Sequence, residues 1–99
     1  MMKIAQDQRY KGENWWEWSI WIDASPAELA TIEKVIWRLH PTFPQPVRET
    51  TNREDHFKLE TSGWGTFPVR ADVGVAGGTT IKLKHELELH YPDGTPSPA

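Results

Sequence analysis

Strict alternation of apolar and polar residues in the last third of the chain limits its possible folds more than any other feature. Over residues 67–75 and again over 81–89, every second residue is apolar except His85, and the residues between are mostly charged. A period of two is typical of strands with one buried and one solvent-facing side. Gly77 and Gly78 separate the two runs, as a tight turn requires. The sequence therefore predicts a long antiparallel hairpin, with His85 as a hydrogen-bonded core residue on its buried face.

Residues 15–22 form a second strand pattern that is rich in tryptophan. Trp18 occupies the middle of this strand, and Trp37 the middle of a later one, so we expect both in the core. The pattern leaves Trp15, Trp16 and Trp21 unassigned. Residues 1–14 are polar and are predicted to be irregular or a weak edge strand.

Residues 26–39 carry two overlapping patterns. Ser25, Pro26 and Glu28 are typical of a helix start, with a hydroxyl cap and proline at the first helical position. Beyond them, helical spacing and strand alternation coexist, and periodicity alone does not decide between them. We interpret the segment as one helical turn at 26–30 followed by a strand at 32–39.

The rest of the chain is predicted to be short strands and loops. Three prolines make residues 40–47 a rigid extended loop. Residues 57–60 are predicted to be a short strand, residues 61–63 a turn, and residues 92–99 a proline-rich tail or linker. The prediction is an all-β protein with one domain at residues 15–91, an antiparallel β-sandwich of immunoglobulin-like size.

Composition argues against several classes of function. The chain of 99 residues has no cysteine, which excludes disulfides and thiolate zinc sites and fits a reducing, cytoplasmic compartment. Its formal charge of −3 disfavours direct nucleic-acid binding, and no apolar run is long enough to span a membrane. The four histidines lack the spacing of a metal site, and the serines lack a nucleophile-elbow pattern. We therefore expect no enzyme, metal or cofactor.

Two predicted loops carry aromatic residues that are poorly placed to fill a core. Trp64 lies between Gly63 and Gly65, just before a strand, and Phe43 lies on the proline-stiffened loop with His40 and Thr42. Glycines flanking an aromatic residue leave backbone N–H groups accessible to a ligand. The two loops together predict a small pocket at one end of the sandwich.

These residues also carry a resemblance to a known family. Three ordered segments, Val35-x-Trp37-x-Leu39-His40-Pro41-Thr42-Phe43-Pro44, Ser62-Gly63-Trp64-Gly65-Thr66-Phe67 and Leu83-x-His85-x-Leu87-x-Leu89-His90, resemble the YEATS domain. The resemblance runs from about residue 15 to residue 90 and is nearest to the prokaryotic branch of the family. It implies an immunoglobulin-fold sandwich and favours the turn-then-strand interpretation of residues 26–39.

The resemblance also implies a ligand and a set of site residues. The best-known YEATS domains read acylated lysine on histone tails, whereas prokaryotic members are thought of as ligand or modification sensors attached to other modules. By this resemblance the acyl-amide would lie between Trp64 and Phe43, with Phe67 lining the pocket. The carried-over ligand-binding set is His40, Thr42, Phe43, Trp64, Gly65, Thr66 and Phe67. The family's further cage aromatic has no clear counterpart here, and Trp15, Trp16 or Asn14 could fall at its position.

The leading hypothesis is a non-catalytic module that binds an acylated protein or peptide, or a small acyl-amide ligand. Thr42 would hydrogen-bond the amide, His40 would orient its loop, and the backbone N–H of Trp64 would donate to the ligand carbonyl. A carbohydrate-binding β-sandwich using exposed tryptophan is the alternative. A third possibility is a docking domain whose aromatic end is a protein interface.

Overall fold

The structure is a computed structural model that describes residues 2–96. Within that range the strands are β1 (Lys3–Gly12), β2 (Trp15–Asp23), β3 (Ile32–Arg38), β4 (Val47–Thr50), β5 (Leu59–Gly63), β6 (Pro68–Val75) and β7 (Thr79–Glu86), with one helix, α1 (Pro26–Thr31), and a 3₁₀ turn at Arg53–Asp55. One sheet has the order β1-β2-β5 and the other β4-β3-β6-β7, with antiparallel neighbours throughout. This confirms the predicted immunoglobulin-like β-sandwich. No helix in the described range is long and apolar enough to cross a membrane.

Three tryptophans, Trp16 and Trp18 of β2 and Trp37 of β3, belong to the core. Trp18 and Trp37 are buried, as predicted, and Trp16, which the sequence left unassigned, is fully buried as well. The indole N–H of Trp16 donates to the carbonyl of His90 at 2.8 Å, and that of Trp37 donates to the carbonyl of Phe57 at 2.9 Å. These bonds satisfy polar groups that would otherwise be costly to bury.

Helix α1 is a single capped turn that leads directly into β3, which confirms the interpretation of residues 26–39. The Ser25 hydroxyl accepts from the backbone N–H of Glu28, and the Glu28 carboxylate accepts from the backbone N–H of Ser25. The helix ends at Ile32, where the β-branched and aromatic run favours a strand. The Arg53 guanidinium donates to the carbonyls of Leu29 and Ile32, at 3.1 and 2.7 Å, across this junction.

The predicted hairpin is present as β6 and β7, joined by a turn at residues 76–78. Its second strand is shorter than the alternation suggests, because β7 ends at Glu86 and the buried Leu87 and Leu89 follow it. The expectation for His85 needs correction. It is half-buried rather than in the core, because β7 is an edge strand, and its Nε2 atom lies 2.6 Å from Oε1 of Gln6.

The polar N-terminal segment is a ten-residue edge strand, β1, rather than an irregular lead-in. Two of its side chains form what we call the glutamine clasp, defined as Gln6 and Gln8 bonded to the backbone of Glu88 and His90. The Gln6 amide donates to the carbonyl of Glu88 at 2.7 Å and accepts from its N–H at 2.9 Å. Gln8 accepts from the N–H of His90 at 2.9 Å. The clasp joins the β1 side of one sheet to the segment after β7 of the other.

Two local predictions are wrong. Residues 61–63 are not a turn but the end of β5, because they pair with β2 over Trp16 to Trp18. The short strand predicted at residues 57–60 begins at Leu59 instead, since Phe57 adopts a left-handed conformation with a φ of 59°. In the predicted tail, residues 92–96 form a turn in which the N–H of Tyr91 donates to the carbonyl of Thr95. Residues 97–99 lie outside the described range.

Candidate functional site

A cleft of about 430 Å³ opens at one end of the sandwich, where the loop 40–46 meets the loop 64–67. The structure brings all seven residues of the predicted set around this cleft: His40, Thr42, Phe43, Trp64, Gly65, Thr66 and Phe67. It adds four residues that sequence reasoning did not place there, Trp15, Pro44, Ser62 and Gly63. The cleft lies at this end because the chain enters β2 and β6 here and leaves β3 and β5 here.

Short backbone bonds fix the loop 40–46 in shape. The N–H of Leu39 donates to the carbonyl of Pro46 at 2.6 Å and closes the base of the loop. Within it, the N–H of Phe43 donates to the carbonyl of His40 at 3.0 Å. Because proline restricts φ, the three prolines of this loop limit the conformations that compete with the observed one. The aromatic ring of Phe43 is therefore held at the cleft by a stiff support.

Phe43 and Phe67 form the aromatic floor of the cleft. Their ring centroids are 5.3 Å apart, and both rings pack against Trp18, with centroid distances of 6.1 and 5.8 Å. Phe67 is 9% exposed and Phe43 is half-buried. The Arg48 guanidinium lies 5.9 Å from the centroid of the Phe43 ring. The floor is anchored to the core through Trp18 and presents flat apolar surface to the cleft.

His40 and Thr42 are the principal polar pair of the cleft. The backbone N–H of Thr42 lies 3.2 Å from Nδ1 of His40, and the Thr42 hydroxyl lies 2.9 Å from the same atom. A backbone N–H can only donate, so this contact requires the Nε2–H tautomer, in which Nδ1 carries a lone pair. The Thr42 hydroxyl lies within reach of the same lone pair and can donate to it as well. Its oxygen lone pairs are left to accept a hydrogen bond from a ligand.

Trp64 projects from the end of β5 and is 61% exposed. Gly63 before it is buried, and a side chain added at Gly65 after it would meet no atom within 4 Å. The ring therefore lies at the rim of the cleft beside open space. An exposed aromatic residue at the edge of an apolar cleft is well placed to cover a ligand.

Trp15 is the functional candidate that the sequence left unassigned. It is 44% exposed, lines the cleft, and begins β2 immediately after a tight turn in which Glu13 and Asn14 both have positive φ. Two successive left-handed residues are typical of the hairpin turn whose twist matches the flanking strands. The sequence signal for Trp15 is its place in the β2 alternation. It lies on the outward side of the strand, because Trp16 on the opposite side enters the core. Trp21 shares that outward side but lies beneath the Lys58 ammonium, 5.8 Å from its ring centroid.

The cleft has little charge of its own. Apart from His40, its lining residues have no ionisable side chain. Within residues 2–96, the two carboxylates whose pKa is clearly lowered lie elsewhere: the backbone N–H of Ser25 lowers the pKa of Glu28, and hydrogen bonds from Thr95 lower the pKa of Asp93. Among residues 2–96, no group of three or more His, Asp or Glu side chains could hold a metal ion. The cleft is suited chemically to a neutral, flat ligand with a hydrogen-bond donor.

The fold and the aromatic end cleft together define a small immunoglobulin-like β-sandwich domain with a loop-built pocket. A family model described as the prokaryotic YEATS domain matches residues 16–88. The chain belongs to the YEATS domain family, which confirms the resemblance drawn from the three sequence segments.

Curated relatives and solved structures agree with this assignment. The chain is 33% identical over 86 residues to the Protein AF-9 homolog of Saccharomyces cerevisiae, covering 82% of this chain and 37% of the relative. It is 32% identical over 78 residues to the Protein AF-9 homolog of Eremothecium gossypii, covering 74% and 36%. The chain thus spans a little over a third of the length of these relatives.

Two solved structures show the same fold. The Yaf9 YEATS domain bound to H3K27ac superposes with a TM-score of 0.75 at 22% identity, covering 98% of this chain and 79% of that chain. The yeast AF-9 homolog protein Yaf9 superposes with a TM-score of 0.69 at 26% identity, covering 91% and 66%.

Proposed function

We propose that this domain is a non-catalytic binding module for acylated lysine on a protein or peptide, or for a related small acyl-amide. The observation that carries the proposal is the His40 and Thr42 pair within a cleft whose floor and rim are aromatic. That pair offers one oriented hydrogen-bond acceptor beside flat apolar surface. A secondary amide attached to a short acyl chain matches both features.

The aromatic side chains supply the apolar part of recognition. In the proposed complex the planar amide lies between Trp64 and Phe43, with Phe67 beneath it and Trp15 as the further aromatic wall. An acylated lysine is neutral, so the rings act through stacking and apolar burial rather than through attraction to a cation. This agrees with a cleft whose rim and floor are aromatic and whose lining lacks carboxylates.

The polar groups of the cleft form hydrogen bonds with both the N–H and the carbonyl of the ligand amide. The Thr42 hydroxyl accepts from the amide N–H of the ligand, because its own proton is directed to His40. The backbone N–H of Trp64 donates to the acyl carbonyl, and the open space over Gly65 gives the ligand room. Leaving an amide buried without partners costs about 1–3 kcal/mol, so both contacts are needed for a useful affinity.

The relatives supply independent support. One solved structure is of the Yaf9 YEATS domain bound to H3K27ac, and another is of the same domain recognising an H3K122suc peptide. Those descriptions concern Yaf9. They make an acylated lysine the first ligand class to test on this chain.

The test is calorimetric titration with one peptide in unmodified, acetyl-lysine and crotonyl-lysine forms. We expect binding of the acylated forms only, and a loss of at least about tenfold in affinity in Trp64→Ala, because a covering aromatic surface is removed. Trp21→Ala is the matched control, since Trp21 lies outside the cleft.

Two results would contradict the proposal. If Trp64→Ala binds the acylated peptides as the wild type does, Trp64 is not a binding residue. If an oligosaccharide panel gives saturable binding and the acylated peptides give none, the chain is a carbohydrate-binding module instead.

A further inference from the structure

The indole N–H of Trp18 is a buried hydrogen-bond donor without a partner. Trp18 is 3% exposed, and its Nε1 is the one buried side-chain nitrogen or oxygen in residues 2–96 that makes no hydrogen bond. The other two core tryptophans, Trp16 and Trp37, both donate to backbone carbonyls. An unsatisfied buried donor is uncommon in folded proteins, and it is costly because water no longer solvates it.

This donor lies directly beneath the cleft. The Trp18 ring packs against both rings of the aromatic floor, Phe43 and Phe67. A side-chain carbon added at Gly63, which lines the cleft, would lie 3.8 Å from Nε1 of Trp18 and 3.8 Å from Cζ of Phe43. Because Gly63 lines the cleft and has no side chain, no side chain of that residue separates the buried Nε1 from the cleft.

We propose that the Trp18 N–H is a specificity-determining donor for the far end of the acyl chain, and that the cleft favours acyl groups carrying a neutral oxygen there. This inference rests on the proposed function. A hydroxylated chain, as in 3-hydroxybutyryl-lysine, brings an acceptor to the base of the cleft, whereas a butyryl chain of the same length leaves the donor unpaired. Sites with a buried polar group discriminate in this way against ligands that lack its partner.

A hydroxyl is the favoured acceptor, rather than a carboxylate, because of the surroundings of the donor. The floor consists of Phe43, Phe67 and the Gly63 backbone, and no lysine or arginine lines the cleft. A carboxylate there would lose its hydration and gain one neutral donor, which does not compensate for burying a charge.

The experiment compares 3-hydroxybutyryl-lysine with butyryl-lysine in the same peptide, by calorimetry on the whole chain. We expect the wild type to bind the hydroxylated form about fivefold more tightly, the value of one hydrogen bond. In ¹⁵N spectra the Trp18 indole resonance should move on binding the hydroxylated peptide and much less on binding the butyryl peptide.

Two variants make the Trp18 N–H unavailable to a ligand in different ways. Gly63→Ala keeps the Trp18 N–H but places a methyl group over it at ordinary contact distance, with no positive φ at this position. Trp18→Phe deletes the N–H. Both should reduce the affinity ratio between the two peptides to about one, while Trp21→Phe on the opposite side of β2 should keep it.

The outcomes separate this inference from the proposed function. Equal wild-type affinities for the two peptides, or a ratio that survives both substitutions, would overturn the role of Trp18 and leave the acyl-lysine proposal standing. If neither peptide binds, the proposed function fails and this inference falls with it. Should Trp18→Phe not fold, Gly63→Ala and the indole resonance decide the question.

Discussion

At the scale of single residues, the proposed hydrogen bond between Thr42 and a ligand amide depends on where the hydroxyl proton lies. Both the backbone N–H and the hydroxyl of Thr42 are directed to Nδ1 of His40. In the proposed complex the histidine is therefore a positioning residue that makes the threonine oxygen an acceptor. A hydroxyl free to rotate would present its donor and its acceptor side with no preference.

Replacing the Thr42 hydroxyl tests this arrangement. Thr42→Val keeps the shape of the side chain but leaves the ligand amide N–H unpaired, so affinity for an acetyl-lysine peptide should fall by about fivefold or more. Thr42→Ser retains the hydroxyl and should retain most of the affinity. Calorimetric titration measures both, with Thr80→Val on the exposed part of β7 as the control for an isosteric change outside the cleft. A valine variant that binds as tightly as the wild type would contradict the assigned role.

The sequence predicted the aromatic and glycine residues of the cleft loops because their local patterns are unusual. Trp64 between two glycines and Phe43 among prolines are poor core residues, and that is readable without a structure. The sequence left the place of Trp15 open, because strand alternation separates inward from outward side chains but does not separate open solvent from a cleft. The orphaned donor of Trp18 could not be predicted, because hydrogen-bond satisfaction depends on partners that are distant in sequence.

At the scale of elements, a helix or strand could be predicted correctly wherever the residues that specify it are neighbours in sequence. The Ser25 and Glu28 capping box specifies the start of α1 within four residues, so the helical turn could be read directly. The end of β5 could not, because residues 61–63 contain turn-forming types and become a strand only by pairing with β2. Non-local pairing overrides local turn preference there.

The capping box also predicts an acid sensitivity. The backbone N–H of Ser25 lowers the pKa of Glu28 in the folded protein. A lowered folded pKa means that the carboxylate stabilises the fold fully above its unfolded pKa and loses that contribution as the pH falls through the folded value. The difference in melting temperature between wild type and Glu28→Gln should therefore shrink from neutral pH to strongly acidic pH.

Thermal melts monitored by circular dichroism across this pH range measure that difference. Glu33→Gln is the matched control, since Glu33 is exposed on β3 and its side chain makes no hydrogen bond or ion pair within residues 2–96. A gap between wild type and Glu28→Gln that stays constant with pH would show that the Glu28 carboxylate does not act through its charge.

At the scale of the whole molecule, the glutamine clasp joins the two sheets on the side where β1 meets the segment after β7. Gln6 and Glu88 are separated by 82 residues, yet they share two hydrogen bonds, and His85 adds a contact to the same amide. Because these bonds bring the two chain ends of the sandwich together, the clasp acts on the domain as a unit.

Removing the clasp should destabilise the domain measurably. Gln6→Ala loses the bonds to both backbone groups of Glu88, and we expect the free energy of unfolding to fall by about 2 kcal/mol. Urea denaturation measures this, and Gln45→Ala on the exposed loop 40–46 should change the stability little. If the two variants have the same midpoint, the clasp bonds contribute nothing beyond their exchange with water.

The class of fold was predictable from sequence, whereas the assembly of strands into sheets was not. Alternation and turn residues specify the strands of the β6 and β7 hairpin and their one-sided burial. They do not specify that β2 lies between β1 and β5, or that β3 lies between β4 and β6. The glutamines of β1 read as solvent-facing polar residues, because the backbone groups that they bond are more than 80 residues away.

The same clasp determines when the domain can finish folding. An isolated pair of strands such as β1 and β2 is only marginally stable in water, and the first strand acquires its remaining partners from residues 85–90. During synthesis, which proceeds from the N-terminus, those residues emerge after nearly all of the sandwich has been made. The first strand therefore gains its full set of partners only once residues 85–90 are available, so β1 and the segment after β7 complete the fold together.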